Sequence, residues 1–367
     1  IIWNDINSIQ KKINIFNGKN SYVKLYKTLN GDYLSITIHH MVVDGVSWRI
    51  ILEDFMTAYN MHKEGKCAIL PMKTAPFLEW VKDYARYSSN LPEWEKDYWS
   101  RIINEEEKIA ICNIENAWKK HKVKIFSLDE EKTNIMIKKM NRAFHAEINE
   151  ILLAGLGMAE LKCNNRKNTF IAIEGHGREK VISNKDISRT VGWFTSYYDV
   201  VFENDNSVIK QIAKVKKVFN EIPYKGVNYG TLKFHNQNNK GFSYVKSQIL
   251  FNYLGDVDSF ISDDFHLATE LNPIQNIHEE YDTGYLLSIN SIILNNKLQF
   301  TVDYNEDIYS HDEIDKFFEY YLNSLAEIID VGCNRIEKNL CKFDLVNLSE
   351  EETNQLNIMF DINKIEN

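Results

Sequence analysis

The stretch from Tyr33 to Tyr59 constrains this chain most, because its apolar residues change period partway along. From Tyr33 to His40 the sequence alternates, so Leu34, Ile36, Ile38 and His40 share one face of a strand while Ser35, Thr37 and His39 share the other. From Val46 the spacing becomes helical: Trp48, Ile51, Leu52, Phe55 and Tyr59 line one side, and Ser47 is a candidate cap just ahead of them. A strand, a tight turn and a helix thus bring His39, His40 and Asp44 to one junction, with His40 directed where the apolar residues point. A lone H-x-x-x-D pattern is more often a satisfied core histidine and a turn carboxylate. A chemical role requires a second group from elsewhere in the chain.

Glu174 is a candidate for that second group. A short apolar strand from Thr169 ends there, and Gly175 and Gly177 flank His176, letting the backbone turn sharply or come close to a ligand. An ordinary strand-end glutamate is solvated or paired with a neighbour such as Arg178. Taken with an inward-facing histidine, it supplies two titratable groups of the kind that general acid/base catalysis uses, and a base on each face of a carbon can invert it. Burial would raise the carboxyl pKa while a neighbouring carboxylate would favour the charged imidazole, so opposed environments would make one group donor and the other acceptor.

Composition narrows the alternatives. The 367 residues, 44% hydrophobic and 12% aromatic, suffice for two domains or one large two-lobed one. The net charge of -9 is spread along the chain with no basic stripe, so neither nucleic acid nor an anionic membrane is an expected partner. No apolar run approaches a membrane span, the first residues lack the pattern of a signal peptide, and a cytoplasmic location is expected. Cys67, Cys112, Cys163, Cys333 and Cys341 are scattered and read as reduced thiols. On a strand His39 and His40 point to opposite faces and cannot share one metal ion, so no metal site is expected.

The remaining segments give an outline. A loop spans 65–76, aromatic residues at helical spacing mark two core helices from Phe77 to Trp99, and the polar run 104–122 is the best candidate for a crossing between lobes. A strand over Val123–Leu128, a helix over Asp129–Asn141 and a second helix from Ile148, whose Gly155 and Gly157 argue for close packing, follow. Near the end, strands over 284–295 and 298–304 flank a hairpin at Asn295-Asn296-Lys297, and Ser310 to Glu313 is a capping box.

His39 to Trp48 closely resembles the HHxxxDG motif of the condensation superfamily of nonribosomal peptide synthetases, whose relatives include chloramphenicol acetyltransferase. Val46 to Leu52 looks like the version found in epimerization domains. Glu174 to Glu179, EGHGRE, is similar to the motif that separates epimerization domains from peptide-bond-forming ones, and is the most specific signal in the chain. Arg189 to Val200 resembles TVGWFTSxYPV with Asp199 in place of the proline, which leaves a loop there less constrained. Gly226 to Lys233 resembles GxGYGxL, and Ile249 to Gly255 carries FNYLG.

The resemblance implies an α/β fold of two chloramphenicol-acetyltransferase-like lobes in a V, with a tunnel admitting a carrier arm. The lobes would be 1–118, carrying HHxxxDG, and 119–350, carrying EGHGRE, with 351–367 as tail. The first lobe is expected to be N-terminally truncated, because the family places a longer stretch before the double histidine than the 38 residues found here. The implied activity is L-to-D epimerization of the alpha carbon of an aminoacyl or peptidyl thioester, held on the phosphopantetheine arm of an upstream carrier domain in a synthetase that makes an antibiotic-like secondary metabolite. No cofactor of its own is implied. Carried over by position, His40 and Glu174 are the acid/base pair, Asp44 organises the first motif, and His39, Arg178, Trp193, Tyr198, Asn252 and Tyr253 order or line the pocket. The alternatives are a peptide-bond-forming condensation domain and a non-catalytic module that only docks a carrier.

Overall fold

The computed structural model describes residues 1–109, 121–235, 249–258, 264–268 and 284–344. In chain order the elements are α1 (Ile2–Gln10), β1 (Ser21–Thr28), β2 (Gly31–Ile38), α2 (Gly45–Lys63), α3 (Phe77–Ser88), α4 (Glu93–Ile109), β3 (His121–Ser127), α5 (Glu130–Phe144), α6 (Ile148–Asn164), β4 (Asn168–Gly175), β5 (Ser196–Glu203), α7 (Val208–Glu221), α8 (Tyr229–His235), β6 (Ile249–Asp256), β7 (Leu287–Leu294), β8 (Lys297–Asn305) and α9 (His311–Asp344). The α/β class expected from the sequence is the one the chain adopts. Its described parts form two compact units, one from Ile1–Ser127, Thr169–Phe202 and Val218–Ile314, the other from Leu128–Asn168, Glu203–Lys217 and the chain from Asp315 onward.

Among the described residues the strands belong to the first unit, apart from the end residues Asn168 of β4 and Glu203 of β5. β1 and β2 form an antiparallel hairpin, and the other six strands form a mixed sheet in the order β3-β8-β7-β6-β4-β5. β6 runs parallel to both β4 and β7, whereas β8 is antiparallel to β7 and β3. The β7–β8 hairpin turns at Asn295 and Asn296, both at positive φ (52° and 59°), which is what a two-residue turn matched to strand twist demands and what asparagine tolerates. Strand alternation gives this sheet two unlike faces. Ile171, Ile173, Ile249, Phe251, Leu287, Ile289, Phe300 and Val302 are buried on one, while Asn252, Asn290 and Thr301 on the other are only half-buried. Trp80 of α3 anchors a separate apolar cluster with Ile182, Ile187, Phe194 and Val227, so the aromatic run of the sequence is largely core.

The second unit is helical. α6 is buried along Glu150–Glu160, and Gly155 lets α9 approach so closely that a Cβ there would stand 2.5 Å from Leu325. The Tyr321 hydroxyl donates to the Leu152 carbonyl at 3.1 Å in the same contact. α9 is opened by the expected capping box: Glu313 accepts from the Ser310 N–H at 2.8 Å, and the Ser310 hydroxyl accepts from the Glu313 N–H at 3.2 Å.

Several local expectations need correction. β2 ends at Ile38, so His39 and His40 lie beyond the strand. The cap of α2 is Asp44, not Ser47. Residues 104–109 continue α4 and β3 begins at His121; the rest of the expected crossing, 110–120, lies outside the described residues, as do Cys112, the Cys341 side chain and the tail 351–367. The segment around Asp199 is strand β5, not a loosened loop. Cys67, Cys163 and Cys333 are not in disulfides. Among the described residues no helix is long and apolar enough to cross a membrane, and no group of three or more histidine, cysteine or acidic side chains is gathered as a metal site would need.

Candidate active site

After β2 the chain makes one 3-10 turn, His40–Val42, before α2 begins. His39 caps that turn: its Nδ1 accepts from the Met41 N–H at 3.1 Å, which commits one ring nitrogen to local structure. His40 is exposed instead of pointing into the core, and its imidazole meets the Trp193 ring edge-on with centroids 5.6 Å apart. The alternating pattern failed here because the turn begins two residues early and re-aims both side chains.

Asp44, 2% exposed, gathers three donors. It caps α2 by accepting from the Ser47 N–H at 2.7 Å, accepts from the Phe194 N–H at 3.1 Å, and receives Arg178 Nη2 at 3.1 and 3.3 Å on its two oxygens. Arg178 spends its other terminal nitrogen on the carbonyls of Ile187 and Thr190, at 3.0 and 2.8 Å, and its guanidinium lies 3.9 Å from the Phe194 ring centre. Burial pulls its pKa below the usual arginine value and Asp44 opposes that pull. Ser47 completes the lock. Its hydroxyl donates to the Gly192 carbonyl at 2.9 Å and accepts from the Gly192 N–H at 3.0 Å and from Arg178 at 3.1 Å, the full capacity of a hydroxyl. Gly177 makes the arrangement possible: at φ 67° it brings its Cα so near the Phe194 carbonyl that a Cβ would stand 1.6 Å from the oxygen. Three stretches distant in sequence, 44–47, 177–178 and 187–194, are thereby fixed to one another.

Glu174, near the end of β4, makes no ion pair with Arg178. Its Oε2 accepts from Asn252 Nδ2 on β6 at 2.8 Å. Burial pushes the Glu174 carboxyl above the ordinary glutamate range, and the nearby charge of His40 pulls the other way. A neutral amide orients this carboxylate without pinning it in the ionised form. The Asn252 strand is held in turn by the Ser291 hydroxyl, which donates to the Asn252 carbonyl at 2.9 Å, and by Arg49 of α2, which donates to the Leu254 carbonyl at 2.9 Å.

The structure therefore brings His40, Trp193, Glu174 and Asn252 to one locality, with Asp44, Arg178 and Ser47 as its frame. Tyr253, half-buried on β6 next to Asn252 in sequence, has its phenol pushed up by burial. Tyr198 is not brought in: it is buried against Gly226 and the Gly175 backbone, on the side of the strand away from Glu174. Sequence reasoning missed Ser47 as a clamp. Its signal was a small polar residue inside the first turn of a helix that Asp44 already caps. It also missed Lys233, which pairs with the fully buried Asp199 at 2.8 Å beside the Tyr229 hydroxyl.

The condensation-domain family matches residues 4–356, and the chain belongs to that family. Bacitracin synthase 3 of Bacillus licheniformis is 35% identical over 88% of this chain, and gramicidin S synthase 1 of Brevibacillus brevis is 32% identical over 99% of it. The chain spans only 5% and 34% of those two proteins. Among solved structures it is similar to the epimerization domain from the third module of tyrocidine synthetase B, with a TM-score of 0.78 and 29% identity, covering 90% of this chain and 76% of that one. The first condensation domain of the CDA synthetase shares the fold at a TM-score of 0.60 and 13% identity.

Proposed function

We propose that the chain is an epimerization domain of a nonribosomal peptide synthetase, inverting the alpha carbon of a thioester held on the phosphopantetheine arm of a carrier domain. The observation that carries the reading is the state of Glu174: desolvated, held by a neutral donor, and within the electrostatic reach of His40. The EGHGRE sequence around it and the likeness to a solved epimerization domain support the same reading over peptide-bond formation.

The chemistry follows from the two groups. A thioester acidifies the proton on the alpha carbon; Glu174 takes it, leaving a planar enolate, and His40 as imidazolium returns a proton from the opposite face. A carboxyl whose pKa is raised toward neutrality is a better proton carrier for this purpose than an ordinary surface glutamate. Trp193 limits the orientations open to the His40 ring, and Asn252 fixes the carboxylate oxygen that does not take the proton. The Asp44–Arg178 frame acts by position alone. The reaction draws on no cofactor beyond the carrier-borne arm, which belongs to the substrate. The partners are then an upstream aminoacyl or peptidyl carrier and the neighbouring synthetase modules, and the setting is cytoplasmic.

Loading a carrier with one L-aminoacyl or L-peptidyl thioester and measuring chirality with time tests the reading. Glu174→Gln keeps the shape and the Asn252 contact but cannot take a proton, and should slow inversion by about a hundredfold or more. Peptide-bond formation without inversion, when a second carrier loaded with an aminoacyl acceptor is added, would establish the condensation alternative. Carrier binding without turnover of any loaded thioester would establish the docking module.

A further inference from the structure

We infer that Tyr197 and Asp199 are positioning residues of the acid/base site: Asp199 holds the Tyr197 phenol to itself, so that Tyr197 turns its ring and not its hydroxyl to Glu174. The inference rests on the epimerase reading for the part Glu174 plays in the reaction. The register of β4 against its neighbour β5 carries it. Just outside one end of the pair the Asn204 N–H donates to the Lys167 carbonyl at 2.7 Å; at the other end a Cβ on Gly175 would stand 2.6 Å from the Ser196 hydroxyl. Each step forward along β4 is therefore a step back along β5, and Glu174 lies opposite Tyr197. Counted alternately from the bonded Lys167–Asn204 pair, Glu174 and Tyr197 form a non-hydrogen-bonded pair, the kind whose Cβ atoms approach to about 4.5–5.5 Å.

Ser196 and Tyr198 turn toward the Gly175 side, so Tyr197 and Asp199 share the face of Glu174. Asp199, 0% exposed, accepts from the Tyr197 hydroxyl at 3.3 Å on Oδ1, and from Lys233 at 2.8 Å and the Tyr229 hydroxyl on Oδ2. A phenol has one hydrogen to give. Given to Asp199 it is withheld from Glu174, whose Oε2 keeps the neutral Asn252 amide. What Tyr197 offers Glu174 is then a ring, backed by Tyr285 and Tyr229 with centroids 6.0 and 6.2 Å away. A ring excludes water from a carboxylate without stabilising its charge, which acts in the same direction as the burial that pushes Glu174 up.

Neither residue is dictated by the segment TVGWFTSxYPV, where position 197 is unspecified and position 199 is proline. A proline could anchor neither the phenol nor a buried ammonium, so Asp199 and Lys233 belong together. Besides this cluster the charged groups near Glu174 are His40, from the turn after β2, and Arg178, which is paired with Asp44. Tyr253 alternates to the other face of β6 from Asn252. A change at Tyr197 or Asp199 therefore reaches Glu174 through the phenol, the ring or Lys233.

The test follows ionisation of the Glu174 carboxyl by infrared difference spectroscopy of the chain carrying isotope-labelled glutamate, its band identified by its loss in Glu174→Gln. The pH dependence of inversion on a loaded carrier is measured alongside. Tyr197→Ala removes the ring and should lower the Glu174 midpoint by about one pH unit, with the acid limb of kcat/KM moving alike. Tyr197→Phe keeps the ring and should leave the midpoint in place. Asp199→Leu with Lys233→Leu removes both buried charges together and frees the phenol to donate to Glu174, so the midpoint should fall; adding Tyr197→Phe should restore it. The contrast of Ala with Phe at position 197 alters neither buried charge, and decides the matter if the double variant does not fold. A midpoint unmoved in Tyr197→Ala overturns the inference. So does one raised in Tyr197→Phe, because the phenol would then have been bonding Glu174 all along. Midpoints that move as stated, in a chain that inverts no loaded thioester, uphold the two positioning residues and remove the epimerase reading instead.

Discussion

Replacing Asp44 by alanine should unsettle three distant stretches at once. The carboxylate caps α2 through the Ser47 N–H, accepts from the Phe194 N–H, and faces the Arg178 guanidinium, with side chains only 2% and 8% exposed in the ion pair. A lost cap costs about 1 kcal/mol, and leaving one member of a buried pair behind costs about 3–5 kcal/mol. Because the same two oxygens serve all three partners these costs overlap, and Asp44→Ala should destabilise by about 4 kcal/mol in total. Asp44→Asn keeps an oxygen for the cap and loses the charge, so about 2 kcal/mol is expected. Most of the alanine penalty is the stranded guanidinium. Adding Arg178→Met to Asp44→Ala should therefore recover about 2 kcal/mol relative to the sum of the single changes, even though Met forfeits the bonds to Ile187 and Thr190. Urea unfolding followed by tryptophan fluorescence measures all four variants. A cost below about 1 kcal/mol for Asp44→Ala, or simple additivity in the double variant, would refute the argument that this pair is the lock.

Gly177→Ala forces a Cβ onto the Phe194 carbonyl at a positive φ, and should cost more than about 2 kcal/mol and abolish activity while leaving the helical unit's far-ultraviolet signal intact. Glu95 is 0% exposed, accepts from Asn228 at 2.9 Å, and has its carboxyl pushed up by burial. The folded state therefore holds that proton more tightly than the unfolded state, and Glu95 favours the fold below the ordinary value of 4.5 and loses that contribution as pH rises toward its own higher pKa. Glu95→Gln should match the parent in stability below pH 4.5 and exceed it progressively above, seen as diverging melting temperatures; a constant offset would refute the sign. Asp199→Pro installs the residue found in the family motif, and β5 stands at the sheet edge where proline is best tolerated, yet it strands Lys233. A loss of about 3–5 kcal/mol is expected in thermal or urea unfolding, largely regained when Lys233→Leu is added; a neutral Asp199→Pro would mean that the pair contributes nothing.

What the sequence disclosed and what it withheld divide along the range of the interactions. The β7–β8 turn at Asn295-Asn296 and the Ser310 cap were legible because each is decided within a few residues by backbone preference and local hydrogen bonding; at the junction of β2 with α2 the order of strand, turn and helix was legible, but the end of the strand, the cap and the aim of His40 were not. The partner of Arg178 was not. Glu174 lies four positions away and Asp44 lies 134, and proximity in sequence favours the wrong one. The choice is made by the turn at Gly177, which carries Arg178 over the Phe194 ring to Asp44 and leaves Glu174 to Asn252. The consequence reaches the chemistry. Had the guanidinium settled on Glu174, Coulomb attraction would have lowered that carboxyl's pKa and made it a weaker base toward the alpha proton. With the cation spent on Asp44, desolvation dominates at Glu174 and the shift runs upward. The same lock that fixes the loops thus gives the cation to Asp44 and leaves Glu174 a neutral partner, a division that no local reading of the EGHGRE motif contains.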